Sequence, residues 1–338
     1  LNFKASLASY TSSFFPFMTS LTLGTRGSAL ALKQTELVTA ALQLAHANSL
    51  NVLSSIIHTS GDLRLDLRFS EFSPDTPKTD KGIFIKELEQ ALLDGSIDAA
   101  VHSLKDVPSV LLPEFSIAAY LPRADIEDVL ISKTGYTLES LPKNAKVGTS
   151  SVRRKAQLLQ IRPDCEVLEI RGNVATRIKK LSGESALDAI ILASAGVSRL
   201  NYLDPDDSSS LSLDSEHLYK CHHLDPLVFL PAAGQGAIAI ECLTDSPLFP
   251  ILQKINHQDT FLRVTTERLF LEKLGAGCQT PVGIHTSIQQ ELMHLRALVY
   301  DESNLSATPP LLTFTGPADQ PHFLADGLFQ QHLHSLSH

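Results

Sequence analysis

The sequence predicts an α/β protein divided into two or three domains. Its 338 residues are too many for one typical hydrophobic core. Short apolar strands alternate with amphipathic helices along the whole chain. Clusters of Gly, Ser, Thr and Arg stand at the ends of several strands, which is where α/β sheets hold ligands. A hydrophobic share of 43% beside 19% charged residues is ordinary for a soluble protein. No unbroken apolar run approaches the length needed to span a bilayer.

Residues 1–20 are rich in Ser, Thr and aromatics, lack acids, and read as an N-terminal extension outside the fold, with Met18 as the native start. A strand at 21–23 runs into Gly24-Thr25-Arg26-Gly27-Ser28, and Ser28 is placed to cap a helix whose Leu30, Leu37, Val38, Ala41 and Leu42 recur at helical spacing. A strand at 51–58 precedes the turn 59–62, a helix covers 82–93, and a strand at 97–101 delivers His102-Ser103-Leu104-Lys105-Asp106. A second unit starts near Pro122. There a strand at 146–147 enters Gly148-Thr149-Ser150-Ser151 and a helix with Val152, Ala156 and Leu159 on one face. Residues 167–170 lead into Arg171-Gly172-Asn173 and a helix with Val174, Ile178 and Leu181 on one face. Residues 189–193 form a buried strand, and the Asp- and Ser-rich stretch 201–223 reads as a mobile loop. A third unit begins at about 258 and contains Cys278 between Gly275-Ala276-Gly277 and Gln279-Thr280-Pro281.

Net charge is −9, which argues against nucleic-acid binding. Within 146–180, however, nine basic residues face three acidic ones, a local excess of six. That stretch is either a solvated helical face or a cleft for a polyanion. The four cysteines form no CxxC pair and no dense framework, as expected for free thiols in a reducing compartment. Cys221-His222-His223 lacks a second ligand pair at metal-binding spacing and reads as a surface loop, so no metal is expected.

Three constellations carry chemistry. Arg153 and Arg154 fall in the opening turn of a helix, and Arg177 repeats the placement in the next unit. A cation there opposes the helix dipole at a cost of roughly 0.3–1 kcal/mol. Twice in adjacent βα units, the placement points to N–H groups and guanidinium forks that together hold carboxylates or phosphates. Asp106 sits where a carboxylate can steady a cation or move a proton, although Lys105-Asp106 also fits a surface ion pair. Cys278, between glycines, is on a turn that exposes its sulfur, whereas most lone cysteines are small buried hydrophobes.

From residue 21 onward the chain resembles the hydroxymethylbilane synthase (porphobilinogen deaminase) family. The stretches that carry the resemblance are GTRGSALAL (24–32), KGIFIKELE (81–89), DAAVHSLKDVP (98–108), VGTSSVRRKAQL (147–158), RGNVATR (171–177), DAIILASAG (188–196), LPAAGQGAIAIEC (230–242), LRVTTER (262–268) and GAGCQTPVG (275–283). The resemblance implies three α/β domains: 21–121 with 237–254, then 122–236, both similar to the lobes of a periplasmic binding protein, and 258–338, which carries the cofactor cysteine. It implies a dipyrromethane joined by a thioether to Cys278 and a reaction that condenses four porphobilinogens head to tail, releases ammonia and frees linear hydroxymethylbilane by hydrolysis. Asp106 matches the family's catalytic acid. Ser103, Lys105, Asp106, Thr149, Ser150, Ser151, Arg153, Arg154, Arg171, Gly172 and Gln235 match cofactor contacts. Arg26, Ser28, Arg153, Arg177 and Arg199 match contacts to substrate acetate and propionate groups. The implied partners are porphobilinogen and the growing oligopyrrole, in a cytoplasmic monomer that binds neither membrane nor nucleic acid.

The chain departs from the family pattern before Lys81. A lid there would use Lys78 and Lys81, but Pro77-Lys78-Thr79-Asp80-Lys81 is compressed and lacks the usual glycine. The stretch 201–223 is expanded. A non-catalytic two-lobed binding protein for a carboxylated ligand would share the arginine cleft, but needs neither Asp106 nor a presented cysteine, and would carry an export signal. An enzyme of phosphorylated metabolites would explain the helix starts, but no GxxxxGK[ST] loop supports it.

Overall fold

A computed structural model describes residues 19–59, 85–183, 187–214, 217–276, 280–305 and 307–337. The first unit opens with β1 (Thr19–Thr25) and α1 (Ala29–Ala45), where Ser28 caps the helix by accepting a hydrogen bond from Ala31 N at 3.3 Å. Then come β2 (Leu50–Ile56), α2 (Lys86–Leu93) and β3 (Ala99–Ser103). A 3₁₀ turn over Leu104–Asp106 follows β3 directly, and β4 (Phe115–Tyr120) completes this stretch. The chain next builds β5 (Asp128–Ser132), β6 (Lys146–Gly148), α3 (Val152–Ile161), β7 (Glu166–Leu168), α4 (Val174–Lys179), β8 (Ala189–Ala193), α5 (Ser194–Arg199), β9 (Ser210–Ser212) and β10 (Leu218–His223).

It then returns: β11 (Ile238–Leu243) inserts between β3 and β4, antiparallel to both. The first sheet thus runs β2-β1-β3-β11-β4 and the second β7-β6-β8-β5-β10-β9. After α6 (Phe249–Gln253), α7 (Gln258–Lys273) leads to an antiparallel three-stranded sheet of β12 (Val282–Gln289), β13 (Leu292–Val299) and β14 (Leu312–Pro317), followed by α8 (Pro321–Leu336). Each sheet has its own apolar core. Leu21, Leu23, Val38 and Ile240 belong to the first, Ile131, Ile178 and Ile190 to the second, and Ile284, Leu295 and Leu324 to the third.

The expected α/β class is therefore observed, with four local differences. Residues 201–223 are not a mobile loop. They supply β9 and β10, which extend the second sheet, and Leu211, Tyr219 and Cys221 turn inward against Ile131 and Ile190. β9 offers only Ser210-Leu211-Ser212, and in β10 the outward position beside Tyr219 is Leu218, so neither strand shows a clear period-two pattern. For the same reason Cys221-His222-His223 is not a surface loop but part of β10, with Cys221 buried. On α3 Ala156 is buried as expected, but Arg153, Arg154, Gln157 and Leu158 join it instead of Val152 and Leu159, because a buried acid draws the arginines inward. The helix expected over 82–93 begins at Lys86, and residues 82–84 lie outside those described. Outside them too are residues 1–18, Lys78, Lys81, Cys278 and most of the turn 59–62.

The β9–β10 pair makes a direct test. Leu211 is 1% exposed, so Leu211→Ala should destabilise the protein by ~2–5 kcal/mol in denaturant unfolding. An unchanged midpoint would return this stretch to a mobile loop.

Candidate active site

Parallel strands β1 and β3 of the first sheet, and β6 and β8 of the second, end in the polar turns singled out from sequence. Arg26, Ser28, Gln34, Ser103 and Asp106 line one pocket of about 70 Å³, together with His102, which sequence reasoning missed. Ser103 is fixed from behind, since Gln34 Nε2 donates to its Oγ at 2.8 Å.

From the second unit, α3 brings in Arg153 and Arg154 with Ser151 as its cap. Both guanidiniums are buried and meet Asp128, at the head of β5. Arg154 donates to Asp128 Oδ1 from Nε at 3.0 Å and from Nη2 at 2.8 Å, and Arg153 Nη2 lies 2.8 Å from Oδ2. Gln235 Nε2 donates to the same Oδ1 at 2.9 Å and to Ile126 O at 2.7 Å. Burial alone would raise the Asp128 carboxyl, but Arg153 and Arg154 more than offset it and hold it down to about 2. Asp128 was not singled out from sequence. An acid heading the apolar run Val129-Leu130-Ile131 was the available signal, because a buried carboxylate needs a partner.

The other expected residues fall into two groups. Lys105, Arg177 and Arg199 are desolvated cations. Burial, then Arg154, lowers Lys105 to about 8, while Asp106 and Asp128 act in the opposite sense. Burial, then Arg154, lowers Arg177, while Asp106 raises it, so an arginine of the second unit lies within electrostatic reach of an acid of the first. Arg177 Nε donates to Gly172 O at 2.7 Å. Arg199 is lowered to about 10 by burial alone, and its Nη2 donates to Gly236 O at 2.6 Å. Gly236 has φ +83°, and a Cβ there would meet Ala124 O at 2.5 Å, so this close approach requires glycine.

The hydroxyls are occupied locally. Thr149 Oγ1 accepts from Ser151 N at 3.2 Å, Ser151 Oγ accepts from Arg154 N at 3.4 Å, and Ser150 donates to Ile170 O. Arg171 is more exposed and pairs with Glu169 at 2.8 Å.

Cys165, Cys221 and Cys242 are buried free thiols. Burial pushes Cys221 up to about 12 and Cys242 up to about 11, which leaves neither as a nucleophile at neutral pH.

A family model described as "Porphobilinogen deaminase, dipyromethane cofactor binding domain" matches residues 21–249, and one described as "Porphobilinogen deaminase, C-terminal domain" matches 261–309. The porphobilinogen deaminase of Syntrophomonas wolfei is 46% identical over 83% of this chain and 85% of its own length. That of Shouchella clausii is 44% identical over 81% and 82%. The chain belongs to the porphobilinogen deaminase family. Its members' likeness extends to Halalkalibacterium halodurans, whose porphobilinogen deaminase is 40% identical over 93% of this chain and 95% of its own length. A TRAP periplasmic solute binding protein from Desulfovibrio salexigens is distantly similar in structure, at 10% identity and TM-score 0.39 over 76% of each chain. Membership in the family makes this chain a transferase of tetrapyrrole biosynthesis, a hydroxymethylbilane synthase working with a dipyrromethane cofactor.

The donor set suits such a cofactor, whose acetate and propionate groups are anionic. Lys105, Arg153, Arg154 and Arg177 act on one another as like charges, with Asp106 and Asp128 as the acids between them. Arg153 Nε is buried without a hydrogen-bond partner. Carboxylates brought to this group relieve both conditions.

The Asp128 cluster is testable by stability. Leaving two guanidiniums buried without their carboxylate, Asp128→Ala should cost ~3–5 kcal/mol. A carboxyl held at about 2 when folded contributes stability that is complete above its unfolded value, ~3.9, and is lost as pH falls towards 2. Wild-type unfolding should therefore steepen across that acid window, and Asp128→Asn should remove this component. An unchanged pH profile in Asp128→Asn would contradict the assignment.

Proposed function

We propose that Cys278 carries the dipyrromethane through a thioether and that Asp106 performs the acid–base work of condensation beside it. The observation that supports this reading is the group of desolvated cations at the site: Asp106 acts electrostatically on both Lys105 and Arg177, and Arg154 acts on both as a like charge. Cys165, Cys221 and Cys242 are buried, and Cys278, flanked in sequence by Gly275 and Gly277, is the thiol that the family resemblance assigns to attachment.

When bound, the dipyrromethane supplies the free pyrrole α-carbon to which the first unit is joined, and each later unit joins the free α-carbon of the unit before it. The protein's own residues do the rest. Arg26, Ser28, Arg177 and Arg199 hold the acetate and propionate groups of incoming porphobilinogen, and Arg153, Arg154, Arg171, Ser103, Lys105, Thr149, Ser150, Ser151, Gly172 and Gln235 shape the cofactor side of the cleft. Asp106 hydrogen-bonds the pyrrole N–H, assists departure of ammonia, and stabilises the methylene-pyrrole cation left on the substrate. After the new carbon–carbon bond forms, it accepts the proton released from the α-carbon. Four such additions and one hydrolysis yield linear hydroxymethylbilane and four ammonia molecules.

The three sheets support a division into 21–121 with 237–254, 122–236 and 258–338. The free thiols of Cys165, Cys221 and Cys242 support a reducing, cytoplasmic setting, and the net charge of −9 supports a monomer without nucleic-acid partners. Among the described residues no helix is long and apolar enough to cross a membrane. Lys78 and Lys81 are proposed as lid residues on the family resemblance alone.

Intact mass decides the attachment point. Purified protein should be heavier than its polypeptide by two porphobilinogens less two ammonias, and Cys278→Ser should lose that excess. Arg177→Gln and Arg199→Gln should keep the excess but accumulate partially elongated enzyme–pyrrole species, each losing ~1.5–3 kcal/mol of charged hydrogen bonding. Normal turnover with no such species in both variants would remove these arginines from the site.

A further inference from the structure

We propose that Arg268 is a positioning residue that sets the separation between Asp106 and the cofactor on Cys278. The proposal rests on the reading of those two residues given above. Arg268 lies on α7, and its guanidinium donates to backbone carbonyls on the segment just after Asp106, from Nη1 to Val107 O at 3.4 Å and from Nη2 to Ser109 O at 3.1 Å. Ser109 Oγ in turn donates to Ala276 O at 3.5 Å, two residues before Cys278. One turn earlier on the same helix face, buried Val264 packs with Leu104 and Val107, which flank Lys105 and Asp106. The helix therefore grips the catalytic turn by an apolar contact at Val264 and by polar bonds at Arg268.

The course of the chain beyond α7 makes this grip consequential. The helix ends at Lys273, Gly275 takes φ +63°, a left-handed turn that favours glycine, and Ala276 is buried against the third core. The path from Arg268 to the attachment loop is thus one and a half turns of helix and a fixed cap, whereas along the chain Asp106 and Cys278 are far apart. Beside the segment that Arg268 holds lies an open groove of about 380 Å³ bordered by Ser109, Leu111, Phe115, Tyr120, Arg268 and Glu272. Side chains do not close-pack across an open groove, so the arginine's hydrogen bonds help hold the segment there. Misplacement of reacting groups by about 1 Å is enough to cost ~100-fold in rate. A lysine offers one ammonium in place of the fork and can keep only part of the tether.

The test compares Arg268→Met, Arg268→Lys and Ser109→Ala as full-length proteins carrying the cofactor. Intact mass first reports cofactor on Cys278; its absence from wild type would overturn the attachment reading itself, separately from any result on Arg268. With cofactor present, Arg268→Met should keep KM for porphobilinogen within about twofold while kcat falls ~10-fold or more, and Arg268→Lys should recover part of the loss. Hydrogen exchange should quicken at the hydrogen-bonded amides of Val107 and Phe115, which flank the tethered segment, in Arg268→Met while the core strands β3 and β11 stay protected. A kcat within about twofold of wild type in the loaded Met variant, or a loss that falls wholly on KM, would overturn the proposal. Should Arg268→Met fail to fold, Arg268→Lys and Ser109→Ala decide: lowered kcat at constant KM in either one supports the tether, and unchanged kcat in both rejects it.

Discussion

The carboxylate of Asp128 is the constraint on which the rest of the site depends. It is wholly buried, and two guanidiniums and a carboxamide converge on it. Those partners come from different places: Arg153 and Arg154 from the start of α3, and Gln235 from the return crossing that leads to β11. Asp128 itself ends the outward crossing. One ionised oxygen pair thus fixes the helix whose N-terminus faces the cleft and both strands of chain that join the first two sheets. Backbone bonds alone link the crossings more weakly, as in Ala124 N to Gly236 O at 3.1 Å. A buried charge network of this kind is a poor source of net stability, but it penalises every arrangement in which one member is missing.

A second buried acid repeats the device for the third unit. Glu267 of α7 accepts from Arg123 Nη1 at 2.7 Å and Nη2 at 2.9 Å, from Gly234 N at 2.8 Å and from Thr286 Oγ1 at 2.5 Å. Arg123 stands on the outward crossing and Gly234 on the return, so α7 is clamped to both at once. Burial would raise Glu267, but Arg123 prevails and keeps its carboxyl below the usual range. Arg123 Nε also donates to Gln235 O at 2.8 Å, which joins this network to that of Asp128. The helix that leads towards Cys278 in the chain and the helix that presents Arg153 and Arg154 are therefore held to one shared pair of crossings.

The parts of this fold legible in sequence were those with a local cause. Ser28 caps its helix as its position suggested, and the strand 189–193 is buried as its apolar run required. The stretch 201–223 was misread because its inward residues, Leu211, Tyr219 and Cys221, are split between two short strands, and the partner strand β5 lies about ninety residues earlier in the chain. The oddly placed arginines of α3 were correctly noticed as an electrostatic fault. Their first remedy, though, is Asp128, an acid more than twenty residues upstream that no local pattern connects to them. Glu267 sat unremarked inside LRVTTER for the same reason: its partners are contributed by the two crossings and by β12, and only tertiary structure brings them together.

Pairing with Asp128 does not exhaust the positive charge. One carboxylate serves two guanidiniums, and Lys105 and Arg177 remain desolvated near them. The two side-chain types respond differently to that environment. Arg199, buried and lowered to about 10, stays charged at neutral pH, whereas Lys105, at about 8, lies close to the point of losing its proton. An arriving carboxylate favours the charged lysine, so by linkage binding raises its pKa and draws up a fraction of a proton in mildly alkaline solution. The arginines thus supply a charge that does not vary with pH, and Lys105 supplies one that strengthens as ligand carboxylates displace water beside it. Asp106 acts on Lys105 and Arg177 as an opposite charge and so favours the charged form of each, in opposition to burial.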